Sequence, residues 1–277
     1  MTFVRFLLLP LVAVLVVTGL VVAVELRNDG AAVQRVDRED AGGPPPSVAP
    51  PEAKSNANVC EGTLRRPDPS QPKTFPAIYT KRAEAMGITI VADASVRDEA
   101  LAEAKKTVER LFKNNDLARP LTEQGAYVII ADRKQQVLDL PEFACLQGQV
   151  DQEFFNHVCG VADRADYPVV TVNELDLLGE RSGPCQGLNI LYHELGHLVQ
   201  GWAIAPADYF DSKAMYQAAM NAGKYRRQYA ATNSHEYFAD ATQSYFLYGE
   251  VGGGHDRKWL KGYDPDIYEL LARIYGD

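Results

Sequence analysis

His193-Glu194-Leu195-Gly196-His197 places two imidazoles at i and i+4. On a helix these positions share one face, with Cβ atoms about 5–6 Å apart, so both rings can reach one metal ion. Glu194, beside the first ring, stands where it can take a proton from a water that the metal has made more acidic. The chemistry this implies is hydrolysis at a single catalytic Zn2+ ion. Such a centre needs three protein ligands and an open fourth position. A third histidine six residues after the second is absent, because position 203 is alanine, so the remaining ligand comes from elsewhere.

The segment Tyr229-Ala230-Ala231-Thr232-Asn233-Ser234-His235-Glu236-Tyr237-Phe238-Ala239-Asp240 offers that ligand. Glu236 and Asp240 stand i, i+4 on a second helix, so one face presents two carboxylates. Tyr237, Phe238, Ala241 and Phe246 around them mark a largely buried helix, where unpaired acids are costly. Glu236 is therefore assigned to the zinc. Asp240 is assigned to the free ring nitrogen of His193, where it would fix the tautomer and the ring orientation.

Together the two segments resemble the catalytic domain of the anthrax toxin lethal factor family, zinc endopeptidases of the gluzincin type. The resemblance covers roughly residues 169–248, and its second motif, Tyr-x-x-Thr-Asn-x-x-Glu-Tyr-Phe-Ala-Asp, is the more specific one. It implies a zincin-like fold, with His193, His197 and Glu236 as zinc ligands and Glu194 as general base. It also implies Tyr229 as a hydrogen-bond donor to the transition state. Tyr229 lies seven residues before Glu236, close to two helical turns, so a nearly helical connection would bring it to the same cleft. Asp240 stands where the family often has Glu, a longer arm. The toxin's long recognition and carrier-binding regions have no counterpart in 277 residues, and its substrates are not implied.

The elements that position these residues are legible in outline. Ile88–Val91, Tyr127–Ile130 and Val169–Val172 are β-branched and aromatic runs that read as strands. Pro168 before the last suggests an edge, so Val169, Val170, Thr171 and Val172 are expected to bind an extended peptide as an added strand. Leu101, Ala104, Val108, Leu111 and Phe112 repeat at helical spacing. Further helices are expected over 184–200, after Gly183-Pro184, and over 208–221, 233–248 and 265–274. Strands first and helices afterwards give an α+β fold. His235 is rotated about 100° from Glu236 on its helix, and His157 and His255 lie off ligand spacing. These three read as structural or solvent-facing, and Gly252-Gly253-Gly254 as a flexible connection.

Residues 1–24 carry an apolar run, Phe6–Val24, behind Arg5, which reads as a signal peptide or signal anchor. Residues 25–74, rich in Pro and Ala, read as a linker or pro-segment, and 75–277 as the catalytic domain. Export would favour disulfides among the four cysteines. The preferred pairing is Cys145–Cys159 with Cys60–Cys185; no Cys-x-x-Cys spacing supports a cysteine-ligated zinc. With 28 Lys+Arg against 37 Asp+Glu the net charge is −9, which argues against nucleic acid and anionic lipid as partners. The expected partner is a peptide or protein substrate, with membrane contact only through an uncleaved N-terminus. The expected location is extracellular, either secreted or anchored with the catalytic domain outside. The rival is a secreted binding or toxin-accessory module that keeps the fold without turnover. Glu194 and Tyr229 together disfavour it, since a non-catalytic scaffold needs neither.

Overall fold

A computed structural model describes residues 60–64, 73–155, 158–164, 166–247 and 255–276. The apolar N-terminal run, most of the proline-rich segment, His157 and Gly252–Gly254 lie outside the described residues. No helix among the described residues is long and apolar enough to cross a membrane.

Five strands form one mixed sheet: β1 (Lys81–Ala85), β2 (Ile88–Ala92), β3 (Tyr127–Ala131), β4 (Gly160–Arg164) and β5 (Tyr167–Asn173), in the order β1-β2-β3-β5-β4. β2, β3 and β5 run parallel, and β1 and β4 close the two sides antiparallel. Alternation assigns the side chains to faces. Ile88, Ile90, Val128, Ile130, Val170 and Val172 point to the main core. Val91, Tyr127, Ile129, Val169 and Tyr167 point to a smaller one. In that smaller core the Tyr79 and Tyr127 hydroxyls donate to the fully buried Glu142 at 2.5 and 2.7 Å.

The edge expectation for Val169–Val172 is wrong. β5 lies between β3 and β4, and all seven of its residues are buried. Val169, Val170, Thr171 and Val172 therefore have no free ladder to offer a peptide. Pro168 is tolerated for a different reason. The β4–β5 register is broken between Ala162 and Arg164, so the missing N–H falls at an irregular part of the ladder instead of at a sheet edge. The true edge on this side is β4, whose sequence Gly-Val-Ala-Asp-Arg has no β-branched run to announce it.

The helices are α1 (Asp98–Phe112), α2 (Ala118–Glu123), α3 (Gln152–Phe155), α4 (Glu174–Leu177), α5 (Leu191–Trp202), α6 (Pro206–Asn221), α7 (Ser234–Phe246), α8 (Arg257–Tyr263) and α9 (Pro265–Tyr275). With most strands ahead of most helices, the fold is α+β. The helix expected from Pro184 begins only at Leu191. Residues 184–190 form a loop, because Gln186 and Gly187 take positive φ (55° and 83°) and the Asp176 carboxylate captures the N–H groups of Cys185 and Gly187.

The disulfides also differ from the expected pairs. They join Cys60 to Cys145 and Cys159 to Cys185, each with Cα atoms 5.4 Å apart. Cys159 leads into β4, which lies against β5, and the chain passes from β5 through α4 to Cys185. Strand pairing, invisible in the spacing, thus sets that partner. Cys60 is left to Cys145.

Candidate metal centre

Two helices build the centre. Gly196, inside the histidine pair, makes their close approach possible: a Cβ there would lie 3.1 Å from Ala239 Cα and 3.1 Å from Thr242 Cβ, both on α7. α5 and α7 therefore pack almost backbone to backbone, which brings the face carrying His193 and His197 against the face carrying Glu236 and Asp240. The start of α7 is fixed by Asn233, whose side chain accepts from the N–H groups of His235 and Glu236 at 2.8 and 2.9 Å. A brace holds the other end of α5, where Gln200 Nε2 donates to Ser212 Oγ on α6 and to the Ser234 carbonyl on α7.

The resulting geometry is tight. His193 Nε2 lies 3.1 Å from His197 Nε2 and 3.1 Å from Glu236 Oε2, and His197 Nε2 lies 3.3 Å from the same oxygen. For a tetrahedral zinc with bonds of about 2.0–2.1 Å, neighbouring ligand atoms would be about 3.3 Å apart. The Asp240 carboxylate lies 2.9 Å from His193 Nδ1. A proton held there leaves the lone pair of Nε2 facing the other two donors. The residues therefore fit a zinc ion in both donor type and spacing.

The electrostatics agree. Burial alone would lower the His193 pKa, but the hydrogen bonds to Asp240 and Glu236, together with nearby negative charge, hold the ring well above its ordinary value. Burial would raise Glu236, yet its contacts with His193 and His197 pull it well below the usual carboxylate range. Without metal, His193 favours its charged form; a cation bound there would take the place of the proton on the ring nitrogen that faces Glu236.

Glu194 is only 6% exposed, and burial raises its pKa, partly offset by His193 and His197. The backbone of Ala162 on β4 also pulls it down, by the smallest of these effects. Tyr229 sits in a 3-10 turn (Tyr229–Ala231) that is held by a hydrogen bond from the Tyr216 hydroxyl to the Ala231 carbonyl. Its ring centroid lies 5.9 Å from that of His193. His193, Glu194, His197, Tyr229, Glu236 and Asp240 are thus all gathered in one place. Val169–Val172 are not, being buried inside the sheet. His235 is exposed, with its ring near Tyr209, and His255 stacks on Trp259 at 3.8 Å.

Sequence reasoning missed Gly160 and Ala162, the part of β4 that lies against Glu194. A Cβ at Gly160 would stand 3.3 Å from Glu194 Oε1 and 2.7 Å from Ile190 Cδ1. The only trace in the sequence was a glycine directly after Cys159. Asn233 was also passed over, although an Asn three residues before an acid at a helix start is a recognisable cap.

A second group of donors, Cys159, Asp176 and Cys185, also lies close together. There the two sulfurs are bonded to each other. The Asp176 carboxylate accepts the Cys185 N–H at both oxygens and the Gly187 N–H at Oδ1.

The family model for anthrax toxin lethal factor, N- and C-terminal domain, matches residues 79–274, well over half of the chain. No curated protein matches it. The chain belongs to the lethal factor family.

Proposed function

We propose that this lethal factor family member is an exported, zinc-dependent endopeptidase. The observation that carries the reading is the convergence of His193, His197 and Glu236 on one point, with their ligand atoms 3.1–3.3 Å apart and Asp240 behind His193. A zinc ion bound there would acidify water and polarise a peptide carbonyl.

The rest is done by the chain. Glu194 takes the proton of the attacking water and delivers it to the departing amine; a carboxylate with a pKa raised by burial suits both halves of that task. The Tyr229 phenol donates to the oxygen on which negative charge develops, which favours the transition state over the bound substrate. The substrate lies beside β4, the free edge next to Glu194, as an added antiparallel strand. Two disulfides support export, since such bonds persist in oxidising compartments. Residues 75–277 form the catalytic unit in this reading, with residues 1–24 as signal or anchor.

The test pairs metal analysis with a peptide-library cleavage assay on wild type and Glu194→Gln. The reading expects one zinc in each protein and cleavage by wild type alone. Equal cleavage by both proteins, or none by a zinc-loaded wild type, would refute it.

A further inference from the structure

β4 is an edge strand, and the sheet alone holds it weakly. Among the described residues it is paired on one side only, to β5, and that register breaks between Ala162 and Arg164. Other contacts must fix how closely it stands over Glu194. One is the absent side chain of Gly160, whose Cβ would meet Ile190 and Glu194 of the α5 region and the Thr171 carbonyl of β5, so the strand lies flush against both. Another is the residue before it. The Cys159 carbonyl accepts the Asn173 N–H at 3.1 Å, and its sulfur is joined to Cys185 in the loop that leads into α5. That loop is anchored in turn. Asp176, fully buried on α4, takes the N–H groups of Cys185 and Gly187 at 2.9–3.1 Å, and Gly183 lies so close to the same carboxylate that no side chain fits. A chain of fixed contacts thus runs from α4 through Asp176, Cys185 and Cys159 to the first residue of the strand that touches Glu194.

We propose that the Cys159–Cys185 bridge, braced by Asp176, is a positioning device that holds β4 against the Glu194 end of α5 and keeps its free edge set to receive a peptide. The substrate part of this inference rests on the endopeptidase reading; the positioning part does not. With the bridge intact, β4 occupies its docking position without a partner. Without it, the strand has to be ordered by the incoming peptide, and apparent affinity falls by the fraction of time the docked position is populated. The bridge is not among the residues gathered at the metal centre, so its loss acts mainly through KM, and the smaller change in kcat is what Glu194 loses when β4 moves off it.

The experiment compares zinc-loaded full-length wild type, C159A/C185A and C60A/C145A. It measures KM and kcat on a cleaved peptide, zinc content, and amide hydrogen exchange across β4. In C159A/C185A, KM is expected to rise about tenfold while kcat stays within about threefold. Exchange at Gly160 and Ala162 should be at least about tenfold faster, with β2 and β3 unchanged. C60A/C145A should change none of these. The proposal is overturned if C159A/C185A matches wild type in exchange, if kcat falls while KM holds, or if C60A/C145A produces the same loosening. A wild type that cleaves nothing removes the peptidase reading and leaves the exchange comparison to decide the positioning role. Should C159A/C185A fail to fold, folded C60A/C145A is treated with a phosphine. The phosphine takes oxygen from water as the two sulfurs accept two electrons and two protons, and the same exchange is read before and after.

Discussion

Among the described residues, two clusters hold the residue types that bind metals, and they have opposite uses. His193, His197 and Glu236 lie between α5 and α7; Cys159, Asp176 and Cys185 lie in and around the loop before α5. Proximity does not separate them. What separates them is where the bonding capacity of each donor atom has gone. In the cysteine cluster the sulfurs are joined, and the carboxylate is taken up by backbone N–H groups. In the histidine cluster, Asp240 occupies the far nitrogen of His193 and leaves the near one facing its neighbours. A metal centre is recognised by lone pairs left over, and a structural knot by their absence.

The sharpest way to break the comparison is to remove one member of the histidine set. His193→Ala should abolish both zinc binding and peptidase activity while circular dichroism shows the same helix content, since the two hydrophobic cores are built from other side chains. Wholesale unfolding would mean that the metal is structural and that the two clusters are less different than argued. Glu194→Gln separates holding the metal from using it. It should keep zinc and lose about 10²–10⁴ in kcat.

Next in size is Tyr229→Phe. Loss of one donor to a developing oxyanion costs about 10²–10³ in kcat, and KM and zinc content should barely move. A defect lying wholly in lost zinc would take the phenol out of the chemistry. Asp240→Ala probes the lone-pair argument itself. A carboxylate behind a ligand histidine is worth about 10–100-fold in metal affinity, which a competitive chelator titration reads directly. Asp176→Ala is the matching change in the other cluster. It leaves two buried N–H groups unsatisfied at about 1–3 kcal/mol each, so denaturant midpoints should fall while zinc stoichiometry stays at one. If Asp176→Ala lost zinc and Asp240→Ala did not, the assignment of the two clusters would be reversed.

The smallest effect is one of pH on the metal-free protein. The folded pKa of His193 is raised, so its contribution is complete below about pH 6.5 and is lost as pH climbs through the folded value. The folded pKa of Glu236 is depressed, so its contribution is present above about pH 4.5 and is lost as pH falls. Chelated protein should therefore melt highest in mildly acidic buffer and melt lower as pH rises from there. The zinc-loaded form should not show this alkaline loss, because its histidines are already neutral. A chelated protein that grows more stable toward pH 9 would contradict the protonated cluster.

Much of the centre could be read from the chain because helical spacing is local. His193 with His197, and Glu236 with Asp240, each declare their common face within five residues. What joins the two helices is a contact between Gly196 and Ala239, and the sequence contains no statement of that pairing. The sheet was less legible where its strands are short or polar. β1 and β4 carry Lys81, Arg82 and Glu84, and Asp163 and Arg164, as edge strands do, and so lack the apolar run that marked β2, β3 and β5. Pro168 was misread because a missing N–H suits a bulge as well as an edge. Gly183-Pro184 looked like a helix start, but Asp176, seven residues before Gly183, draws off the backbone donors that a helix would need. Each error came from a long-range partner overriding a sound local preference.

The most direct test of the division between the clusters is zinc-edge X-ray absorption on the metal-loaded protein. One zinc per chain is expected, with nitrogen and oxygen neighbours at about 2.0–2.1 Å and no sulfur. A sulfur shell near about 2.3 Å, or the absence of stoichiometric zinc, would contradict the assignment of His193, His197 and Glu236.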